Sequence, residues 1–272
     1  MSPVLVTSFR MYNAGPKAAA AWSALFERAF ADVGVEIRLI EHGWPKPIEA
    51  LWQEPALCCA FMCGWPFARS SIAMQPIAAP VPSPPRYESL SRYCSDFLVR
   101  EKSGWTRVED AFGARFGWMA ADSQSGFNAP RAHLAHLRGD ERGALFSEVL
   151  GPLGNPAKAI EALRAGDVDM VALDGFYLDL VRHHDPAKLA GLKVVGHTPW
   201  TPMPLLVAAP GVPRETVDAL RTHLLSLHER EDYRALLREV LLRRLVEPDP
   251  KAYAALEDTA RLAEQSGYAT IR

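Results

Sequence analysis

Apolar positions recur at two different spacings along this 272-residue chain, and the alternation between them predicts its elements. PVLVTSFRMY reads as a short β run. From Pro16 to Val33 the apolar residues Ala18, Trp22, Leu25, Phe26 and Ala29 then fall at helical spacing until Gly34 stops the helix. VEIRLIEH alternates as a strand, PKPIEALWQ gives a short helix opened by prolines, and ALCCAFMCG is a continuous apolar run suited to a buried parallel strand. Strands interleaved with helices predict βαβ units.

The stretch PIAAPVPSPPRYESLSRYCSDFLVRE contains an irregular, proline-rich connector between two strand candidates, and a crossing into a second lobe is expected there. Beyond it, RFGWMAA predicts a strand, Phe127 to Leu137 a helix, PAKAIEALRAG a helix closed by Gly166, and VDMVALDG a second buried strand. FYLDLVRHH and LKVVGHT complete that lobe as a helix and a strand. TPWTPMPLLVAAPGVP marks a return crossing. After it, RETVDALRTHLLSLHERED, YRALLREVLLRRL and PKAYAALEDTARLAEQSG all predict amphipathic helices. The expected organisation is α/β with two lobes: residues 1–92 plus 200–272 build the first, and residues 93–199 are inserted as the second.

Composition adds mainly exclusions. Hydrophobic residues make up 49% and charged residues 23%, as in ordinary globular chains. With 30 basic against 32 acidic residues the formal net charge is −2, so no global field favours nucleic acid or an anionic membrane. No window reaches the ~18 consecutive apolar residues of a membrane span. The N-terminus lacks the basic segment and apolar core of a secretory signal, so the chain as given reads as cytoplasmic. Cys58, Cys59 and Cys63 sit in ALCCAFMCGW without zinc spacing, and with Cys94 they read as free thiols.

Candidate chemistry concentrates in AADSQSGFNAPRAHL, Ala120 to Leu134, where a strand candidate gives way to a helix candidate. The first backbone N–H groups of a helix have no internal partner, and the macrodipole there is positive. The hydroxyls of Ser123 and Ser125 add donors, and Gly126 permits a tight turn or a close ligand. Those are the parts of a phosphate or carboxylate cradle. The alternative is that Ser125 or Asn128 merely caps the helix. Pro130 bears on the geometry, because in a helix begun at Ser125 its ring meets the carbonyl of residue 126. A start nearer Asn128 frees the loop from Asp122 to Phe127 as a nest of N–H groups.

The chain resembles the substrate-binding proteins of phosphonate, phosphite and phosphate ABC importers, within the type 2 periplasmic binding protein fold. The resemblance rests on MYN (Met11 to Asn13), CGWP (Cys63 to Pro66), YCSDFLVRE, DSQSGFN (Asp122 to Asn128), AIEALRAGDVDMVALD (Ala159 to Asp174) and PLLVAAPGVP. It implies two mostly parallel sheets flanked by helices, joined by two hinge crossings, with a small oxyanion bound between the lobes. Ser123, Gln124, Ser125 and Gly126 would hold the oxyanion, and Asp174 would face an amine or hydroxyl substituent. Tyr12 and Trp65 would close from the first lobe, and Asn13, together with Tyr93 beside the crossing, would be further ligand-binding residues. Read as residues alone, Tyr12 and Trp65 could equally be core aromatics, and Asp174 could cap the helix that follows it. Family members often carry a Gly-Ser-His turn where this chain has Gly154, Asn155 and Pro156. The change removes a histidine donor and opens the site to a singly charged or carboxylate ligand.

The resemblance further implies a non-enzymatic, periplasmic protein without cofactor, a monomer whose partner is an ABC permease. An enzyme on the same scaffold, with Asp174 or Asp122 as acid or base, and a cytosolic ligand sensor are the alternatives. His133 with His136, and His183 with His184, have no Cys or Glu at ligand spacing, so no metal is expected. GxSxG, Walker-type and GxGxxG motifs do not occur.

Overall fold

Helix Pro16–Val33 forms where the 3.6-residue period predicts it, with Pro16 at its first turn and Gly34 in the left-handed conformation (φ 73°) at its end. Its buried side is Ala18, Trp22, Leu25, Phe26, Ala29 and Phe30. The computed structural model describes residues 4–139 and 143–272, so Pro3, the first of the predicted N-terminal strand, lies outside the described residues.

The described chain divides into two units. One comprises the residues up to Arg92 together with Pro202–Pro250, and the other Tyr93–Thr201 together with Lys251–Arg272. The pattern assigned residues 200–272 to the first lobe as a block. Instead the helix Pro250–Gln265 and the tail after it pack with the middle segment: Ala263, Tyr268 and Ile271 join a core with Phe97, Phe116, Leu134 and Met170. An amphipathic helix shows on its own sequence that it needs a partner, but not which one.

The first unit is built on a six-stranded sheet in the order Leu242–Val246, Gln75–Pro82, Leu205–Ala208, Leu57–Met62, Leu5–Ser8, Ile37–Leu39. Leu5–Ser8 pairs in parallel with Ile37–Leu39 and Leu57–Met62, whereas Leu205–Ala208 runs antiparallel to both of its neighbours. The segment YRALLREVLLRRL, predicted as one helix, is a helix only over Arg234–Glu239. Leu241 then takes a positive φ of 53°, and Leu242–Val246 becomes a strand antiparallel to Gln75–Pro82. Leu242 and Leu245 fill the core in either conformation, so the unpaired sheet edge decided between them.

The second unit has a five-stranded sheet in the order Leu192–His197, Ser95–Arg100, Met170–Asp174, Arg115–Gly117, Glu148–Leu150. All share one direction except Ser95–Arg100, which runs antiparallel to the strands on its two sides. In both units, the strand that first follows a passage of the chain from the other unit opposes its neighbours. RFGWMAA contributes only Arg115–Gly117 to the sheet. Met170–Asp174 is buried throughout, as its apolar run requires in a central strand.

Arg100 and Arg115 clamp Asp169 at the entry to that central strand. Arg115 reaches both carboxylate oxygens at 2.9 and 3.0 Å, and Arg100 adds a contact of 2.5 Å. The hydrogen bonds from Arg115 first, and then from Arg100, hold the Asp169 carboxyl at about 2 against the opposing effect of burial.

Candidate functional site

The segment DSQSGFN does not enter its helix directly. Residues Gln124–Asn128 form a wide turn in which Asn128 N–H reaches the Ser123 carbonyl at 3.0 Å and Ala129 N–H the Gln124 carbonyl, five residues back in each case. The regular helix then runs over Ala129–Arg138. Pro130 accounts for the detour, because it has no N–H to give to the Gly126 carbonyl four residues before it. That carbonyl accepts from Met119 N–H at 3.1 Å instead. The predicted start at Phe127 is therefore two residues early.

Within the turn the four candidate donors have different work. Ser123 caps it: its Oγ accepts the Gly126 N–H at 2.9 Å. The Gly126 amide is thereby engaged inside the protein, and Gly126 is needed for space. A Cβ there would lie 2.5 Å from the Met119 Cβ. Both residues build the loop that was expected to hold an anion. Ser125 and Gln124 are buried in the same turn, and the Gln124 Nε2 has no hydrogen-bond partner among the described residues. A buried amide donor without a partner costs about 1–3 kcal/mol, so it marks a place where a ligand acceptor would be stabilising.

The turn packs against the strand Met170–Asp174, and Asp174 is the last residue of that strand. Asp174 Oδ1 accepts the N–H groups of Phe176 and Tyr177 at 2.8 and 3.0 Å, capping the helix Gly175–His184. Burial, and then the Asp174 charge, push the neighbouring Tyr177 phenol up to about 12, so it stays protonated at neutral pH. Opposite Asp174 in the ladder is Ser95. Alternation along the paired strands puts Ser95 with Phe97 and Val99, and Asp174 with Ala172 and Met170, on the face that meets the helix Ala129–Arg138. Ser95 Oγ is buried and, like Gln124 Nε2, unpartnered among the described residues, while Ser95 N–H donates to Thr198 Oγ1 at 2.9 Å.

Ser95 was not among the sequence candidates. The available signal was YCSDFLVRE, a strand that opens with two polar residues, Ser95 and Asp96, that prove fully buried. Asn128 and Arg131, which support the turn from beneath, were likewise missed. Tyr93 precedes Ser95 by two residues and is buried. Asn155 caps the helix Pro156–Ala165, its side chain accepting Lys158 N–H at 3.0 Å, so the turn that replaces Gly-Ser-His has its own structural employment.

The first-unit candidates lie at the ends of two neighbouring strands. Tyr12 follows Leu5–Ser8 in a short turn and is fully buried. Its ring lies edge-on to Phe61 at 4.9 Å and stacked with Trp22 at 6.0 Å, so the ring belongs to the aromatic core. Asn13 is exposed, and lines a recess of about 500 Å³ with Arg10, Glu41 and His42. Trp65 opens the helix Gly64–Arg69 after Leu57–Met62. It is 6% exposed, the Arg69 guanidinium covers its ring at 4.8 Å, and its Nε1 has no partner among the described residues.

Among solved structures, the chain is similar to the binding protein component of an ABC phosphonate transporter from Pseudomonas aeruginosa. The TM-score is 0.81 at 15% identity, over 97% of this chain and 88% of that one. It is also similar to PhnD1 from Prochlorococcus marinus in complex with methylphosphonate, with a TM-score of 0.74 at 16% identity over 96% and 98% of the two chains. A Xanthomonas citri protein bound to ATP matches with a TM-score of 0.65 at 14% identity, over 98% of both. These likenesses establish the type 2 periplasmic binding protein fold. A comparison with curated proteins finds no match. The family model described as the periplasmic substrate-binding protein of the phosphonate ABC transporter matches residues 60–253, which span the central strands, the DSQSGFN turn and Asp174. By that match, the chain belongs to the family of periplasmic phosphonate-binding proteins of ABC transporters.

Proposed function

We propose that this protein binds a small phosphonate-like oxyanion at the turn around Gln124 and hands it to an ABC permease. The observation that carries the reading is the Gln124 Nε2, a fully buried amide donor with no partner among the described residues, at the start of a helix. Ser95 Oγ, Ser125 and the first amides of the turn supply further hydrogen-bond donors on the same unit. In this reading Asp174 meets a polar substituent while it caps its helix. The methylphosphonate carried by the Prochlorococcus marinus structure supports a phosphonate as the chemical class of that oxyanion.

The turn at Asn155 and Pro156 offers no hydroxyl or imidazole, and with the Asn155 amide oxygen accepting Lys158 N–H only the neutral Asn155 NH2 remains as a side-chain donor. The bound form is therefore proposed to carry a single negative charge or a substituent that lowers its charge. An enzymatic reading has less support, because Asp174, one of the two carboxylates nominated as acid or base, accepts two backbone N–H groups.

Isothermal calorimetry against methylphosphonate, phosphite, inorganic phosphate and small carboxylates tests the proposal. Micromolar or tighter binding of a phosphonate or phosphite is expected. Absence of heat with every one of these compounds would sink it.

A further inference from the structure

Beneath the turn, three side chains form a buried line. Gln124 Oε1 accepts from Asn128 Nδ2 at 2.9 Å, and Asn128 Oδ1 accepts from Arg131 Nη2 at 3.1 Å. Gln124 and Asn128 are fully buried, and Arg131 is 2% exposed. Arg131 is itself anchored from the other side by the C-terminal segment. Nη1 donates to the Ala269 carbonyl at 2.7 Å and pairs with Glu264 at 3.4 Å, and Nη2 also reaches the Ala260 carbonyl at 3.4 Å. The guanidinium lies over the Phe127 ring at 5.4 Å.

The line has a direction, and arginine sets it. A side-chain amide can be turned end for end, so the free group on Gln124 could in principle be either its NH2 or its oxygen. A guanidinium offers donors and no acceptor. The atom of Asn128 that meets Arg131 must therefore be its oxygen, which turns the Asn128 NH2 toward Gln124. That NH2 in turn requires an oxygen opposite it, which leaves the Gln124 NH2 as the group without a partner among the described residues. Reversing either amide would set two donors, or two acceptors, against each other in a site sealed from water.

We infer that Arg131 is a positioning residue for the ligand site: acting through Asn128, it fixes the polarity of the Gln124 amide, so that the site presents a donor and selects ligands that accept. This rests on the oxyanion reading for what the donor meets, but the amide orientation is independent of any ligand. A consequence is that residues 260–269 influence binding without touching ligand, since they hold the guanidinium in place.

Asn128→Asp inverts the line at small steric cost. The introduced carboxylate keeps one oxygen toward Arg131 and presents the other to Gln124, whose NH2 must then turn inward and expose Oε1 to the site. Methylphosphonate affinity is expected to fall roughly 10- to 100-fold, the factor for exchanging a charge-assisted donor for an acceptor. In ligand-free protein, the Gln124 side-chain NH2 resonances in a 15N-edited NMR spectrum are expected to move downfield as they gain a partner. Unchanged affinity together with unchanged Gln124 resonances would overturn the inference. If wild-type protein binds no oxyanion, the functional reading fails alone, and the ligand-free resonances still decide the amide orientation. Should Asn128→Asp not fold, Gln124→Glu tests the donor without altering Asn128 or Arg131. It is expected to weaken methylphosphonate binding at pH 7 by a similar factor, with recovery relative to wild type as the pH is lowered and the carboxyl takes up a proton. Wild-type affinity for Gln124→Glu at pH 7 would count against the inference.

Discussion

Ser123 Oγ accepts a hydrogen bond from the Gly126 N–H at 2.9 Å, which makes it the cap of the wide turn. Ser125, two residues on, is buried in the turn without serving as that cap. The two serines should therefore separate in experiment. Ser123→Ala is expected to cost about 1 kcal/mol of stability in denaturant unfolding. Ser125→Ala is expected to leave the unfolding midpoint in place and to weaken oxyanion binding in calorimetry. Equal stability losses in both would remove the distinction.

Gly126 lies against Met119 with no room for a methyl group, a Cβ there falling 2.5 Å from the Met119 Cβ. The added atom is part of backbone-anchored structure on both sides, so neither neighbour can swing away. Gly126→Ala is expected to destabilise the protein by about 1–3 kcal/mol, the range for overpacking a filled site. Thermal unfolding measures it, and a midpoint equal to wild type would show that the turn can shift.

Asp174 closes the first turn of the helix Gly175–His184 through Phe176 and Tyr177. Asp174→Ala is expected to lose about 0.5–2 kcal/mol of stability, whereas Asp174→Asn keeps an oxygen for the cap and loses the charge. If that charge meets a cationic substituent, Asp174→Asn will weaken binding of an aminoalkylphosphonate while leaving methylphosphonate affinity as it was. Competition calorimetry with the two compounds reads the difference.

Asp169 makes the stability depend on pH at the acid end. Its carboxyl lies at about 2 in the folded protein against 3.8 for the free side chain, so folding favours the ionised form. The contribution, about 2 kcal/mol, is complete above roughly pH 5 and is lost as the pH falls through the folded value. Asp169→Asn is expected to be less stable than wild type at pH 7 by about that amount, with the gap narrowing between pH 4 and pH 2. A gap that does not change over that interval contradicts the assignment.

The cysteines should differ in reactivity by position. Burial pushes the Cys58 thiol up to about 12, and raises Cys59 well above the ordinary range, helped by its neighbour. Cys94 is buried, and Cys63 is half-buried with its sulfur 4.0 Å from the Met11 sulfur. An aromatic disulfide reagent is expected to label Cys63 first in native protein and the other three only on unfolding, which peptide mapping checks.

Local pattern was enough for much of this. The helical stripe from Ala18 to Phe26, the apolar run Leu57–Met62 and the central strand ending in Asp174 announce themselves, because a period of 3.6 or a buried run has one compact solution. The turn at Ser123 to Gly126 could be located for the same reason: serines and a glycine between a strand and a helix have few other uses. Pro130 even signalled that the helix could not begin at Ser125, though not that a wide turn would resolve the conflict.

What the sequence could not contain was the choice among partners that are equivalent locally. LLRRLV has the leucines for a helix or a strand, and the free edge beside Gln75–Pro82 settled it. Tyr12 could face a ligand or a core, and the rings of Trp22 and Phe61 took it. The C-terminal helix could cover either unit, and it covers the one whose Arg131 needs its carbonyls. Hydrogen-bond polarity inside the turn was equally out of reach, since it is fixed by an arginine held from residue 269, far along the chain. Short-range sterics and periodicity are written residue by residue, whereas burial and the pairing of polar atoms depend on which distant surfaces the folded chain brings together.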